Sequence, residues 1–105
     1  MSEQTRTGFQ ESQIRGLLLV ILAEHYPRAV VAGALRGELR DFGMVATDRV
    51  WETTIAYLLD CGFAQVTEVE IRSRPIKQWK ITTKGLNLID GNIDADPGIY
   101  LPSEN

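Results

Sequence analysis

The sequence predicts one α+β domain, mainly helical, in the order helix, helix, short link, helix, two-stranded hairpin, helix. Three observations predict it. Apolar residues recur with helical spacing from Ile14 to about Cys61. The period switches to two between Phe63 and Thr82, and glycine or proline stands where each periodic run stops. With 105 residues, 44% hydrophobic and 24% charged, the chain can bury one core and not two.

The first helix is expected from about Gln10 to Tyr26, where Ile14, Leu17, Leu18, Ile21 and Leu22 form one apolar face. Leu19 and Val20 fall outside that stripe and are surplus apolar surface. Pro27 stops the helix, because proline disfavours helical geometry in the residue before it. The second helix is expected from Val30 to Phe42 on the stripe Val31, Leu35, Leu39, Phe42, with Gly43 at the left-handed C-terminal position. After Met44-Val45-Ala46, Thr47 or Asp48 caps a third helix ending near Asp60 or Cys61, with Trp51, Thr54, Ile55 and Leu58 on one face. Phe63–Ile71 and Ile76–Thr82 read as strands around the turn Arg72-Ser73-Arg74-Pro75. A fourth helix starts near Thr83, carries Leu86, Leu88 and Ile89, and stops at Gly91-Asn92. Residues 1–92 form the domain, and residues 93–105 form an irregular acidic tail in which Ile99, Tyr100 and Leu101 are able to dock.

Composition excludes several classes. The polar start Met1–Thr5 lacks a secretory pattern, and the longest near-apolar run, Gly16–Ala23, is far short of a membrane span. One cysteine and one histidine supply neither an intrachain disulfide nor a zinc cluster, so a cytoplasmic chain without metal or cofactor is expected. Gly33, Gly37 and Gly43 match no phosphate-binding loop, no nucleophile elbow is present, and Asp94 and Asp96 lack the further ligands of a calcium loop. No catalytic residue is assigned. The net charge of −3 is uneven: residues 28–84 hold nine basic and seven acidic groups, whereas residues 85–105 hold four acidic groups and no basic ones.

Helices two and three are separated by about four residues, the spacing of a helix-turn-helix, and a hairpin directly after the third helix is the mark of the winged form. Two passages carry a family likeness. Leu58-Leu59-Asp60-Cys61-Gly62-Phe63 is similar to the end of a recognition helix, and Ile81-Thr82-Thr83-Lys84-Gly85 to the passage from wing into last helix. With these, the stretch from about Ile14 to Asn92 resembles winged helix-turn-helix regulators of the MarR, PadR and ArsR kind. The ending Asp90-Gly91…Asp96-Pro97-Gly98-Ile99 is similar to small winged-helix proteins of Mu-like phages and prophages. The resemblance implies a sequence-specific binder of double-stranded DNA, with helix 47–61 in the major groove and the hairpin 63–82 near the phosphates.

The candidate DNA-binding residues are Thr47, Arg49 and Thr53 on the third helix, Arg72, Ser73, Arg74 and Lys77 on the hairpin, and Arg36 and Arg40 one turn apart on the second helix. Each has a plainer reading. The hairpin cations also block edge pairing, Arg36 and Arg40 also suit pairing with Glu38 or Asp41, and Arg49 also suits pairing with Glu52. Asp48 and Glu52 would repel phosphates. Trp51 is a core residue or a partner anchor, and Trp79 is the base of the hairpin. His25 suits the end of a helix dipole or a switch, and Cys61 packs as a small residue with no adjacent cation in sequence. A homodimer is expected, with Leu19, Val20 and the apolar tail residues as candidate contacts. The alternative is a protein-interaction module that meets a basic partner through its acidic third helix or tail.

Overall fold

The computed structural model describes residues 3–102; the first two residues, and the last three of the acidic tail, lie outside the described residues. The element order is α1 (Glu3–His25), β1 (Val30–Val31), α2 (Ala32–Asp41), α3 (Asp48–Asp60), β2 (Ala64–Ile71), β3 (Arg74–Ile81) and α4 (Thr83–Ile89). The strands form one antiparallel sheet in the order β1-β3-β2.

α1 runs through the centre. Leu18, Leu19, Ile21 and Leu22 are all sealed from solvent, because α2, α3, α4 and β3 pack around them. This corrects the expectation for Leu19: a helix apolar on every side at its middle is a core helix, so Leu19 is not available for a dimer. Val20 is half-buried. The core continues through Leu35 and Leu39 of α2, Trp51, Ile55 and Leu58 of α3, and Trp79 and Ile81 of β3.

A second departure is at the start of α2. Val30 and Val31 form a short strand opposite Trp79 and Gln78, and α2 begins only at Ala32 with Val31 extended at its cap. Two successive β-branched residues fit a pleated strand better than the first turn of a helix. The hairpin turn also differs. It holds two residues, Arg72 and Ser73, at φ 53° and 65°, and Arg74 and Pro75 already belong to β3. Two consecutive left-handed residues make a type I′ turn, whose twist matches that of the flanking strands. Neither is glycine, so the turn carries strain of about 1 kcal/mol per residue. Ser73→Gly is expected to raise the stability of the chain by about that amount while leaving Arg72 in place. A thermal midpoint unchanged or lowered in this variant would contradict the turn assignment.

α2, α3 and α4 end the same way. Gly43, Gly62 and Gly91 stand at φ 82°, 76° and 78°, and each is followed by a residue whose N–H returns to the final turn: Met44 to Leu39, Phe63 to Leu58, Asn92 to Asn87. These are Schellman closures. The closure at Gly62 does a second job. Thr82 caps α4 by accepting from Gly85 N–H, donates its hydroxyl to the Gly62 carbonyl at 2.6 Å, and sends its own N–H to the Phe63 carbonyl. Lys84 Nζ reaches the Cys61 carbonyl at 2.8 Å. The two passages that carry the family likeness are therefore the two halves of one junction.

The tail is irregular yet partly seated. Ile99 is buried, Tyr100 N–H donates to the Ser12 carbonyl, and Arg15 Nε donates to the Gly98 carbonyl. Arg15 also lies over the Tyr57 ring at 4.4 Å, and the Tyr57 hydroxyl donates to the Asp96 carboxylate at 2.8 Å. The backbone at Tyr100 lies so close to Gly16 that a Cβ there would overlap the Tyr100 carbonyl.

Candidate nucleic-acid interface

α3 divides cleanly. Trp51, Thr54, Ile55 and Leu58 face inward, whereas Asp48, Arg49, Glu52, Thr53 and Ala56 are exposed. Thr47 is the cap, its hydroxyl accepting from Val50 N–H at 3.3 Å. Thr53 turns its hydroxyl back to the Val50 carbonyl. Arg49 is exposed and makes no ion pair among the described residues, so the anticipated pairing with Glu52 does not form.

The hairpin presents two faces. Residues opposed in register share a side of a sheet, so Val66, Glu68 and Glu70 lie on one face with Trp79, Lys77 and Pro75. That face looks toward α3: Val66, Lys77 and Trp79 line a groove of about 240 Å³ together with Glu52, Ala56 and Leu59. Trp51 and Trp79 meet edge to face at 5.7 Å beneath it, which makes both tryptophans core residues. Arg74 is opposite Ile71 on the other face. Arg72 and Ser73 are the turn itself. The structure thus brings Lys77 beside the exposed front of α3, sets Arg72 at the tip, and puts Arg74 on the outer side. All three cations are exposed and none pairs with an acid among the described residues.

The second-helix arginines separate. Arg40 is exposed. Arg36 is engaged within the chain: it donates to the Ala46 carbonyl at 2.7 Å, pairs with Asp48 at 3.0 Å and lies 5.6 Å from the Trp51 ring. It fastens the link between α2 and α3, and it partly neutralises Asp48, one of the two acids at the front of α3. His25 pairs with Glu38 at 2.9 Å, joining the end of α1 to α2. Cys61 is half-buried at the end of α3, with the Lys84 ammonium on its backbone carbonyl.

Sequence reasoning missed the cluster behind α3 formed by Arg15, Tyr57 and Asp96. No local pattern announces it, since its members are dispersed along the chain. The Asp96 carboxylate accepts from the Tyr57 hydroxyl, and that bond, then partial burial, pushes the Tyr57 pKa up to about 12. The unfolded chain releases this proton near 10, while the folded chain keeps it to about 12. Stability therefore falls as pH rises through that window, since the unfolded state binds fewer protons there. Tyr57→Phe is expected to remove this part of the decline in a plot of urea midpoint against pH. A variant profile as steep as that of the parent chain would show that the bond does not form.

No family model matches the chain, and no curated protein matches it. Solved structures do. A PadR-like transcription factor from Bacteroides fragilis superposes with a TM-score of 0.61 at 18% identity, over 85% of this chain and 81% of that one. The circadian clock associated protein Pex from Anabaena superposes with a TM-score of 0.52 at 17% identity, over 80% of this chain and 82% of that one. The fold is a winged helix. In its terms α2 and α3 are the helix-turn-helix, and the β2–β3 hairpin is the wing, with β1 adding a third strand at its base. Among the described residues no helix is long and apolar enough to cross a membrane, and no group of three potential ligands is placed to hold a metal ion.

Proposed function

We propose that this chain binds double-stranded DNA as a transcriptional regulator, with α3 in the major groove and the wing on the backbone. The observation that carries the reading is a set of four exposed cations, Arg49 on α3 and Arg72, Arg74 and Lys77 on the wing, none neutralised by an acid among the described residues. Arg49 lies in the first turn of α3, the part of a recognition helix that meets base edges. It is the residue for direct readout, and an arginine–guanine pair discriminates by about 1–3 kcal/mol. Thr47 and Thr53 offer further polar contacts, and Arg40 and Ser73 offer contacts to phosphate. Arg36 contributes by holding the α2–α3 link. The winged-helix fold that the chain shares with a PadR-like transcription factor supports the same reading.

A single wing and helix cover a short site, so the functional unit is a two-fold dimer, with half-buried Val20 and exposed Ile93 as contacts. The reading includes a cytoplasmic, non-enzymatic protein, and the Asp90-Gly91…Ile99 ending favours a phage or prophage origin. The test is selection of bound sequences from a random duplex pool, followed by gel shift on the enriched site. Enrichment of an inverted repeat is expected, and Arg49→Ala is expected to relax preference at one position of each half-site. Absence of any shift at low salt would end the proposal. A second reading, a protein-interaction module, is favoured by Glu52, Glu68 and Glu70 on the same side of the molecule. Retention by a protein partner with no retention by DNA would decide for it.

A further inference from the structure

The sheet leaves one edge open and closes the other. β2 is the outer strand, no described element pairs with its far side, and every residue from Gln65 to Ile71 is exposed. The two-residue turn fixes the hydrogen-bond phase. Ile71 and Arg74 exchange bonds across the hairpin, as do the pairs Val69–Ile76 and Thr67–Gln78. The residues between them, Val66, Glu68 and Glu70, therefore turn their N–H and C=O groups outward. On β3 the corresponding outer edge is blunted: β1 covers Trp79 and Gln78, and Pro75 has no N–H to offer where that edge runs free.

The open edge has a defined chemistry. Glu68 and Glu70 project on the face that looks toward α3; Glu68 is opposite Lys77 without an ion pair among the described residues, and Glu70 is opposite Pro75. Val66, on the same face, stands 41% exposed at the mouth of the groove shaped by Ala56 and Leu59. On the other face Val69 and Ile71 are exposed. A second copy does not fit. Antiparallel self-pairing centred on Glu68 or Val69 sets Glu68 against Glu68 or Glu70 of that copy, and directly opposed like charges destabilise a strand pair.

We propose that the free edge of β2 docks an extended segment of a partner protein, added antiparallel as a further strand, in which basic residues alternate with apolar ones. Lysine or arginine opposes Glu68 and Glu70, the aliphatic stem of a further basic residue lies on Val66 at the groove beside Leu59, and apolar residues on the other face cover Val69 and Ile71. Main-chain bonds supply affinity, and the alternating side chains supply selectivity. This site is independent of the DNA reading, and its test contains no nucleic acid.

The probe is a synthetic peptide the length of β2 in which lysine alternates with valine, added to the full chain while amide exchange is followed at Val66, Glu68 and Glu70. Exchange at these three amides is expected to slow by about tenfold, the signature of new backbone bonds. A peptide N-methylated at its lysines loses the bonds that meet β2 and is expected to fail, whereas one N-methylated at its valines is expected to bind. The double variant E68K/E70K, whose exposed substitutions leave the core intact, is expected to reject the lysine peptide and accept one with glutamate in its place. Unchanged exchange overturns the proposal. So does equal protection by the lysine-methylated peptide, which would be charge contact alone. Protection that grows with protein concentration before any peptide is added would overturn it in favour of a second copy.

Discussion

Gly85→Ala is expected to destabilise the chain by about 2 kcal/mol, while Gly37→Ala is expected to stabilise it by about 1 kcal/mol. Both glycines are helical, and both substitutions relieve the same entropic cost of glycine within a helix. They differ in what the new methyl group meets. At Gly37 nothing lies within reach. At Gly85 the methyl would overlap the Phe63 carbonyl and the Ile81 side chain, where α4 crosses the end of α3. That carbonyl is fixed in place because it accepts from Thr82 N–H, so the strain is relieved only by parting the junction that holds the base of the wing. Equilibrium urea unfolding of the two variants reads both signs at once. A Gly85→Ala chain as stable as the parent would mean that α4 and the α3 terminus are not in contact.

On the proposed DNA-binding reading, replacing Arg72, Arg74 and Lys77 together by alanine is expected to weaken binding to a duplex by about a hundredfold at low salt and to reduce the log–log salt slope by about three. The three side chains are exposed and pair with no acid among the described residues, so their loss leaves the fold unaltered. The single variants are informative because the register separates them. Lys77 shares the face that looks toward α3, whereas Arg74 is on the outer side. If the wing tip straddles a phosphate ridge or enters a minor groove, each single variant costs about one unit of slope. If only the inner face meets the duplex, Lys77→Ala does so and Arg74→Ala does not. An unchanged slope in the triple variant would remove the wing from the interface.

Most of the fold was legible in the sequence because its signals are local. Helical spacing around Ile14, Leu35 and Trp51, the cap at Thr47, and the glycines at 43, 62 and 91 each report on a few neighbouring residues, and the structure uses each in that way. The misread features depend on distant partners. Val30 and Val31 are a strand only because Trp79 and Gln78 lie beside them. Leu19 is core only because a sheet and three helices surround α1. The turn was drawn two residues too long because Pro75 reads as a turn former, whereas here it marks a sheet edge. The candidate site was legible as a list and not as an arrangement. Arg36 reads in the sequence as a DNA contact or a partner of Glu38 or Asp41, whereas Ala46 and Asp48 occupy it, and only the pairing register shows that Arg74 and Lys77 point to opposite sides.

The bond between Tyr57 and Asp96 has a practical meaning for anyone labelling this molecule. Residues 96–101 splint the outward-looking helix to the central one: one end grips Tyr57 on α3, and the other rests on the notch at Gly16. A bulky reporter attached at Ile99 would lever the splint away and disturb α3 from behind, although Ile99 belongs to the tail and not to that helix.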